Sequence, residues 1–222
     1  MGRLKCCHIS DTHDTFQDIS MLVPDDTDIV FITGDVTYHG KPEELIRLKE
    51  HLKKIVAKTS HVVMIVGNHE KGCEANPQLW IDTMAEIGVK LLMHEAIEVE
   101  GYKIFGSPWT PYFGGWAYNY HRFTGKERWK EIPEDTEILL THGPMEGILD
   151  CIHGENVGCE NLKNRINEGL PDLKYHMFGH IHETHGITQF KQVTCINSSI
   201  MNGSYRFVNK PHFFELEIKD VV

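Results

Sequence analysis

Short apolar runs that end abruptly in polar residues are the feature that most constrains the fold of this chain. The run 61–66 stops at Gly67, and an amide, an imidazole and a carboxylate follow at once in Asn68, His69 and Glu70. Unbroken apolar runs, as opposed to alternating ones, are typical of strands that are covered on both faces. In open α/β sheets, ligands bind outside the carboxyl ends of such strands. The pattern therefore predicts an α/β fold with a functional site at the strand ends.

Apolar periodicity and turn residues predict alternating strands and helices. Pro42 suits the first position of a helix, and Leu45, Leu48 and Leu52 recur on one face of it. The predicted helices cover 42–58, 77–87, 127–132 and 159–168. The predicted strands cover 4–9, 28–33, 61–66, 89–93, 97–99, 102–105, 137–141, 174–178, 186–190, 192–196 and 212–218. A length of 222 residues predicts a single domain over 1–222.

Five polar clusters follow predicted strands directly and in order along the chain. They are Asp11 with His13, Asp35, Asn68 with His69, His142, and His180 with His182. Each cluster alone is weak, because the chain has 15 histidines and chance pairs are expected. Five such clusters that all lie at the ends of predicted strands are not expected by chance. Carboxylates, imidazoles and an amide suit Mn, Fe, Zn, Co or Ni, and there are enough ligands for two ions.

The ordered set Asp-x-His, Gly-Asp, Gly-Asn-His-Glu, Thr-His-Gly-Pro and Gly-His-x-His resembles the calcineurin-like metallophosphoesterase superfamily. The resemblance implies a four-layer α/β fold, in which a β-sandwich of mixed sheets is flanked by α-helices. It implies two metal sites that share Asp35 as a bridge. One would be formed by Asp11, His13, Asp35 and His182, and the other by Asp35, Asn68, His142 and His180. It also implies that His69 stays off the metals and protonates the leaving oxygen.

A closer similarity covers nearly the whole chain and is carried by 106–111, 115–116, 141–144 and 157–159. These segments resemble the metallophosphoesterase-domain-containing, UPF0046-type group, which implies phosphodiesterase activity and, in some members, nucleotide binding. Some animal members have glycine at the position of His180, so its presence here implies a complete second site. Many phosphatases of the wider superfamily have an aspartate where this chain has Tyr38. The group that orients His69 is therefore left open, with Glu70 as one candidate.

Residues 106–125 alternate glycine, proline and aromatic residues without a helical or strand period. One interpretation is a packed surface loop stabilised by aromatic burial. The other is a wall that stacks a flat ligand such as a base, and it makes Trp109, Tyr112, Phe113 and Trp116 candidate substrate-binding residues. Only Arg122, Arg128 and Arg206 are cationic candidates by loop position, and this scarcity favours a diester over a monoester dianion.

The predicted function is hydrolysis of phosphodiester bonds, in small nucleotides or cyclic nucleotides, by a dinuclear centre. Two divalent ions, with Mn²⁺ preferred and Fe, Zn, Co or Ni as alternatives, would lower the pKa of a shared water. Asp35 and His69 are the predicted catalytic residues, with His69 as general acid. Three alternatives stay open: a phosphomonoesterase, a nuclease acting on short single strands, and a nucleotide-binding regulatory protein with low turnover.

Composition argues against several other classes. A formal net charge of −10 disfavours a long nucleic acid as a partner, because binding to its phosphates requires a basic face. No run reaches the ~18 apolar residues of a membrane span, and no secretory or myristoylation signal is recognised, so we expect a cytoplasmic protein. Six cysteines without zinc-finger spacing are expected to be reduced. No nucleophile elbow or phosphate-binding P-loop occurs, and the oligomeric state is left open.

Overall fold

Two mixed β-sheets, with helices on their outer faces, form the centre of the molecule in the computed structural model. The structure describes residues 2–15 and 18–219. In chain order the strands are β1 (Arg3–Ile9), β2 (Ile29–Thr33), β3 (His61–Ile65), β4 (Val89–Leu91), β5 (Glu95–Val99), β6 (Tyr102–Ser107), β7 (Thr110–Pro111), β8 (Asn119–Tyr120), β9 (Ile138–Thr141), β10 (Cys151–Ile152), β11 (Glu155–Asn156), β12 (Tyr175–Phe178), β13 (Gly186–Phe190), β14 (Val193–Asn197) and β15 (His212–Glu217). The α-helices are α1 (Pro42–Val56), α2 (Lys71–Ala75), α3 (Pro77–Glu86), α4 (Gly125–Trp129) and α5 (Glu160–Gly169).

The strands form two main sheets. The first has the order β15-β1-β2-β3-β4, and the second has the order β13-β14-β12-β9-β6-β5. Strands β1 to β4 run parallel to one another, and so do β6, β9, β12 and β14, whereas the outer strands β15, β5 and β13 pair antiparallel. Each sheet therefore directs the carboxyl ends of its central strands toward one edge.

Three apolar clusters define four layers. Side chains on one face of β1, β2 and β3 pack with α1 and α3, including Leu52 and Trp80. Side chains on their opposite face, such as Phe31, pack against the second sheet at residues such as Leu140. The outer face of the second sheet packs with α4 and α5, for example through Trp129. Both faces of each sheet are buried, which explains the unbroken apolar runs and confirms the predicted four-layer α/β fold.

The edges of the two sheets meet at the end of β1. Ser10, just past that strand, forms an isolated parallel bridge with Ser199, which follows β14. Its backbone N–H donates to the Ser198 carbonyl at 3.1 Å, and its carbonyl accepts from Ile200 at 3.0 Å. The polar residues that follow the strands of both sheets are thereby gathered at one edge of the sandwich.

The predicted elements correspond closely to the observed ones, and their ends differ by a few residues. Helix α1 begins at Pro42 as predicted and buries Leu45, Leu48, Leu52 and Ile55 along one face. The pattern missed α2 and the two-residue strands of β7 with β8 and β10 with β11, because elements this short carry no apolar period. Within the described ranges, no helix is long and apolar enough to cross a membrane.

Candidate metal centre

The predicted metal ligands converge at the meeting edge of the two sheets. Three groups of side chains bring their ligand atoms within 4.8 Å of one another: Asp11 with His13 and His182, His13 with Asp35 and His69, and Asp35 with His142 and His180. Four of these residues have a positive φ, namely 54° at Asp11, 42° at His13, 50° at Asp35 and 70° at His180. Backbone in this sparsely populated region clusters at functional sites, where the surrounding structure holds it in place.

The first group contains one carboxylate and two imidazoles. His182 Nε2 lies 3.3 Å from Asp11 Oδ1 and 3.2 Å from His13 Nε2. The other ring nitrogen of His182 donates to the carbonyl oxygen of Asn202 at 3.1 Å, so the Nε2 atom of a neutral ring presents a lone pair. Lone pairs on a carboxylate and an imidazole therefore face the same point, which is the arrangement that a cation stabilises.

The group of Asp35, His142 and His180 adds the amide oxygen of Asn68 to a carboxylate and two imidazoles. His142 Nδ1 donates to the carbonyl oxygen of Thr33 at 2.8 Å, which fixes the ring and turns Nε2 toward the other ligands. His142 Nε2 then lies 3.2 Å from Asp35 Oδ2 and 2.9 Å from Asn68 Oδ1. The ring of His180 lies beside it, with centroids 4.9 Å apart.

Asp35 lies between the imidazoles of His13 and His142 and belongs to two of the three groups. Its Oδ2 atom is 3.2 Å from His142 Nε2 and 3.9 Å from His13 Nε2, so one oxygen faces imidazoles from two of these groups. Its Oδ1 atom accepts a hydrogen bond of 2.8 Å from the backbone N–H of His69. The side chain is therefore held in a fixed position between His13 and His142.

The electrostatics of the centre fit divalent cations. Burial by itself raises the pKa of the Asp35 carboxyl, but His142, His13 and His69 hold it well below its usual range. Burial by itself lowers the pKa of His142, but the carboxylates of Asp35 and Asp11 raise it to about 9. Because these carboxylates would draw a proton onto a buried imidazole, they would also attract a metal ion in its place. The ligands are those that Mn, Fe, Zn, Co and Ni prefer.

His69 is oriented by a backbone carbonyl. Its Nδ1 atom donates to the carbonyl oxygen of Tyr38 at 2.9 Å, and its Nε2 atom lies 4.0 Å from Asp35 Oδ2. The hydroxyl of Tyr205 lies 3.5 Å from the same Nε2 atom. Because His69 also falls within a candidate ligand group, spacing alone would allow it a place on a metal.

The hydrogen bonds described for the Glu70 carboxylate go to residues other than His69. The carboxylate is fully buried and accepts from the backbone N–H groups of Asp35 at 3.0 Å, Thr37 at 2.8 Å and Gly67 at 2.6 Å. Burial, with the neighbouring Asp35, raises its pKa to about 7. Glu70 therefore holds the loops after β2 and β3 together, whereas the Nδ1 atom of His69 is hydrogen-bonded to the Tyr38 carbonyl.

A cavity of about 380 Å³ opens above the centre. Asp35, Asn68, His69, His180 and His182 form part of its floor and walls. Of the predicted substrate-binding residues, Tyr112, Phe113 and Trp116 line it.

Trp109 lies elsewhere than predicted. It is absent from the cavity lining among the described residues, and its ring lies 3.8 Å from the guanidinium carbon of Arg128 and edge-on to Tyr118. Trp109 packs against two of the apolar clusters, the one beside α1 and α3 and the one beside α4 and α5. Here the first interpretation of the segment applies, in which aromatic burial stabilises the loop. Of the three arginines, Arg122 lines the cavity, where its guanidinium donates to the carbonyls of Gly158 at 2.9 Å and Val157 at 2.8 Å.

Sequence reasoning missed Tyr205 and the carbonyl of Tyr38. Tyr205 lies in the loop after β14, lines the cavity and packs edge-on against His13 with ring centroids 4.8 Å apart. The loop has no apolar period, and only Asn202-Gly203 signals a turn there. Every residue has a backbone carbonyl, so the contact made by the carbonyl of Tyr38 cannot be predicted from the residue type.

Comparisons with known proteins agree with this architecture. A family model described as calcineurin-like phosphoesterase matches residues 4–184. The UPF0046 protein K07C11.7 of Caenorhabditis elegans is 32% identical, over 97% of this chain and 76% of its own length. Metallophosphoesterase domain-containing protein 1 of Homo sapiens is 30% identical, over 94% of this chain and 69% of its own length.

Two solved structures share the fold at low sequence identity. The TT1561 protein of Thermus thermophilus matches with a TM-score of 0.64 at 12% identity, over 98% of this chain and 100% of its own. A dimetal phosphatase from Danio rerio matches with a TM-score of 0.50 at 9% identity, over 91% of this chain and 88% of its own. At such identities the likeness concerns the fold alone.

Proposed function

This chain belongs to the calcineurin-like phosphoesterase family, and we propose that it is a metal-dependent phosphodiesterase that acts on small nucleotides or cyclic nucleotides. The observation that carries the proposal is the convergence of buried acceptor atoms around Asp35. His142 Nε2 lies 3.2 Å from Asp35 Oδ2, and His182 Nε2 lies 3.3 Å from Asp11 Oδ1, with no lysine or arginine paired to either carboxylate among the residues described. Burying such acceptors together is costly unless a cation joins them.

The ligands divide into two sets that share Asp35. Asp11, His13, Asp35 and His182 would hold one ion, and Asp35, Asn68, His142 and His180 would hold the other. Two divalent ions, with Mn²⁺ as our first choice, supply Lewis-acid activation of water and offset charge on the phosphoryl oxygens. The contribution of the protein is to fix the ligand positions, through contacts such as His142 with the Thr33 carbonyl and His182 with the Asn202 carbonyl.

His69 is the group that we assign to proton donation. Its Nε2 atom lines the cavity beside Asp35, while its Nδ1 atom is engaged with the Tyr38 carbonyl. A ring held in this way can deliver the Nε2 proton of its protonated form to the leaving oxygen of the ester. General acids of this kind contribute about 10²–10⁴-fold to the rate.

The cavity supports the choice of a diester with a flat group. Tyr112 and Phe113 line it and are 56% and 40% exposed, which leaves aromatic surface free to stack on a base. Arg122 is the single lysine or arginine among the described residues that line it, and its guanidinium is already bonded to two carbonyls. A monoester dianion would need a stronger cationic clamp than this.

A substrate panel tests the proposal. The protein, purified without added metal and then supplied with Mn²⁺, is assayed on bis(p-nitrophenyl) phosphate, p-nitrophenyl phosphate, 2′,3′- and 3′,5′-cyclic nucleotides and short single-stranded oligonucleotides. We expect the diesters to be hydrolysed with the higher kcat/KM, and Asp35→Asn to abolish turnover. Preference for the monoester, or nucleotide binding without turnover, would contradict the proposal.

Substitution of His69 gives a sharper prediction. His69→Ala should retain both metals and lose about 10²-fold or more in kcat on diesters with poor alkoxide leaving groups, because these need a proton. The loss on p-nitrophenyl esters should be small, since that leaving group departs as the anion. Metal content by elemental analysis serves as the control. An equal loss on both classes, or a missing metal ion, would show that His69 is instead a ligand or a structural residue.

A further inference from the structure

Trp116 stacks directly on His69. The two ring centroids are 4.2 Å apart and the ring planes differ by 23°, which is a face-to-face contact. This geometry differs from the role expected for Trp116, which was to offer its face to a substrate base. His69 is only 4% exposed, and the indole is the ring stacked most closely face to face on it among the described residues.

A second restraint on His69 is needed because one hydrogen bond does not fix a ring. The Tyr38 carbonyl holds Nδ1 at 2.9 Å, but the imidazole can still rock about that contact. Such a rotation of the ring would move Nε2 away from its position 4.0 Å from Asp35 Oδ2. An aromatic face packed parallel to the ring opposes this motion by restricting the space into which the ring could turn.

Trp116 is itself attached to the segment that carries His69. The backbone N–H of Ala117 donates to the carbonyl of Asn68 at 3.1 Å, and that of Tyr118 donates to Glu74 Oε1 at 2.7 Å. The Nζ atom of Lys71 lies 4.6 Å from the centre of the indole ring. These contacts join the residues next to Trp116 to the residues next to His69. The indole and the imidazole therefore keep their relative positions.

The geometry points to Trp116 as the positioning residue for His69. Together with the Tyr38 carbonyl it fixes the plane of the imidazole, so that Nε2 is directed at the cavity above Asp35. The stacking surface left for the substrate is then that of Tyr112 and Phe113. This inference rests on the proposed function, because the ring that Trp116 holds is the one assigned to proton donation.

The test compares Trp116→Leu with Trp116→Phe in the Mn²⁺-loaded enzyme. The leucine variant should lose at least ~10-fold in kcat on diesters with poor leaving groups, a part of the ~10²–10⁴-fold contribution of a general acid. It should keep its kcat on bis(p-nitrophenyl) phosphate and its KM on both, and phenylalanine should restore most of the lost rate. Tyr112→Leu, on the same loop, is the matched control, and it should raise KM for nucleotides without this dependence on the leaving group.

A double-mutant cycle separates positioning from a direct contact with substrate. In a His69→Ala background, Trp116→Leu should have no further effect, because there is no ring left to position. Additive losses in the cycle, or equal losses on good and poor leaving groups, would overturn the inference. Absence of phosphodiesterase activity in the unmodified protein would instead refute the proposed function.

Nuclear magnetic resonance gives a readout that does not depend on activity. In the unmodified metal-free protein, the carbon-bound ring protons of His69 should be shifted upfield by the ring current of the stacked indole. Trp116→Leu should remove that shift, whereas Tyr112→Leu should leave it in place. Unshifted His69 protons in the unmodified protein would overturn the inference directly.

Discussion

At the scale of single residues, Gly67 shows how tightly the backbone passes the metal centre. A Cβ atom at this position would lie 2.4 Å from Asp35 Oδ1 and 2.6 Å from His142 Cε1. Both neighbours are buried and belong to the proposed ligand set, so neither can move without disturbing that set. We therefore expect Gly67→Ala to weaken metal binding by about 10- to 100-fold, the range seen when groups that support ligands are altered, as measured by calorimetric titration with Mn²⁺.

Gly143→Ala is the matched control for that substitution. Gly143 lines the cavity, but a Cβ atom there would meet the Thr110 methyl at 3.3 Å and no atom of a proposed ligand closer than His180 Cδ2 at 3.6 Å. It should bind Mn²⁺ nearly as the unmodified protein does. Equal weakening in both variants would mean that the loss at Gly67 comes from general destabilisation.

The sequence pointed to the candidate ligands that the fold brings together, but not to the groups that hold them in place. Asp11, Asp35 and His142 closely follow strands, so their residue type and place in the chain both point to a site. The Tyr38 carbonyl, the stack of Trp116 on His69 and the approach of Tyr205 join residues from different loops. Loops lack the apolar periodicity that would predict such contacts. A contact made by a backbone carbonyl does not depend on the side chain at all.

At the scale of elements, β12 contains a histidine whose ionisation affects stability. His176 is fully buried, and its Nε2 atom lies 2.8 Å from Thr141 Oγ1 on β9, which in turn donates to the Gly143 carbonyl. Burial lowers the pKa of His176 from its ordinary 6.5 to about 3. The folded protein therefore keeps the ring neutral at pH values where the unfolded chain would protonate it.

The sign of the pH dependence follows from that lowered pKa. The contribution to stability is complete above about pH 6.5, falls as the pH drops, and is lost by the folded pKa near 3. Each pH unit in this window is worth about 1.4 kcal/mol per group. His176→Gln should therefore lose less free energy of unfolding between pH 7 and pH 4.5 than the unmodified protein in urea titrations. Parallel pH profiles for the two proteins would contradict this prediction.

The elements themselves were largely predictable because both faces of each sheet are covered. Unbroken apolar runs gave the central strands, and a stripe of leucines gave α1. The role of the aromatic segment 106–125 was harder to predict, because some of its rings pack into the protein and others face the cavity. Trp109 and Tyr120 pack into the core, whereas Tyr112 and Phe113 line the cavity. Composition does not tell the buried rings from the exposed ones, because the burial of each ring depends on the tertiary contacts of the loop.

At the scale of the whole molecule, the proposed metal centre draws its residues from both sheets. Asp11, Asp35 and Asn68 follow strands of the first sheet, and His142 and His180 follow strands of the second. Ions bound by both sets would cross-link the layers of the sandwich. They would stabilise the folded state alone, because the unfolded chain does not hold these ligands together.

Metal removal should therefore lower the stability of the entire fold. With Mn²⁺ at 100 times its Kd, binding at one site raises the free energy of unfolding by about 2.7 kcal/mol, and a chelator should reverse this. Asp35→Asn should lose most of the rise in Tm that Mn²⁺ produces, because Asp35 faces both ligand groups. Asp26→Asn, at an exposed carboxylate paired with Lys5, should keep it. A rise of the same size in the Asp35 variant would place the stabilising ion outside this centre, and the assignment of the ligands would then be wrong.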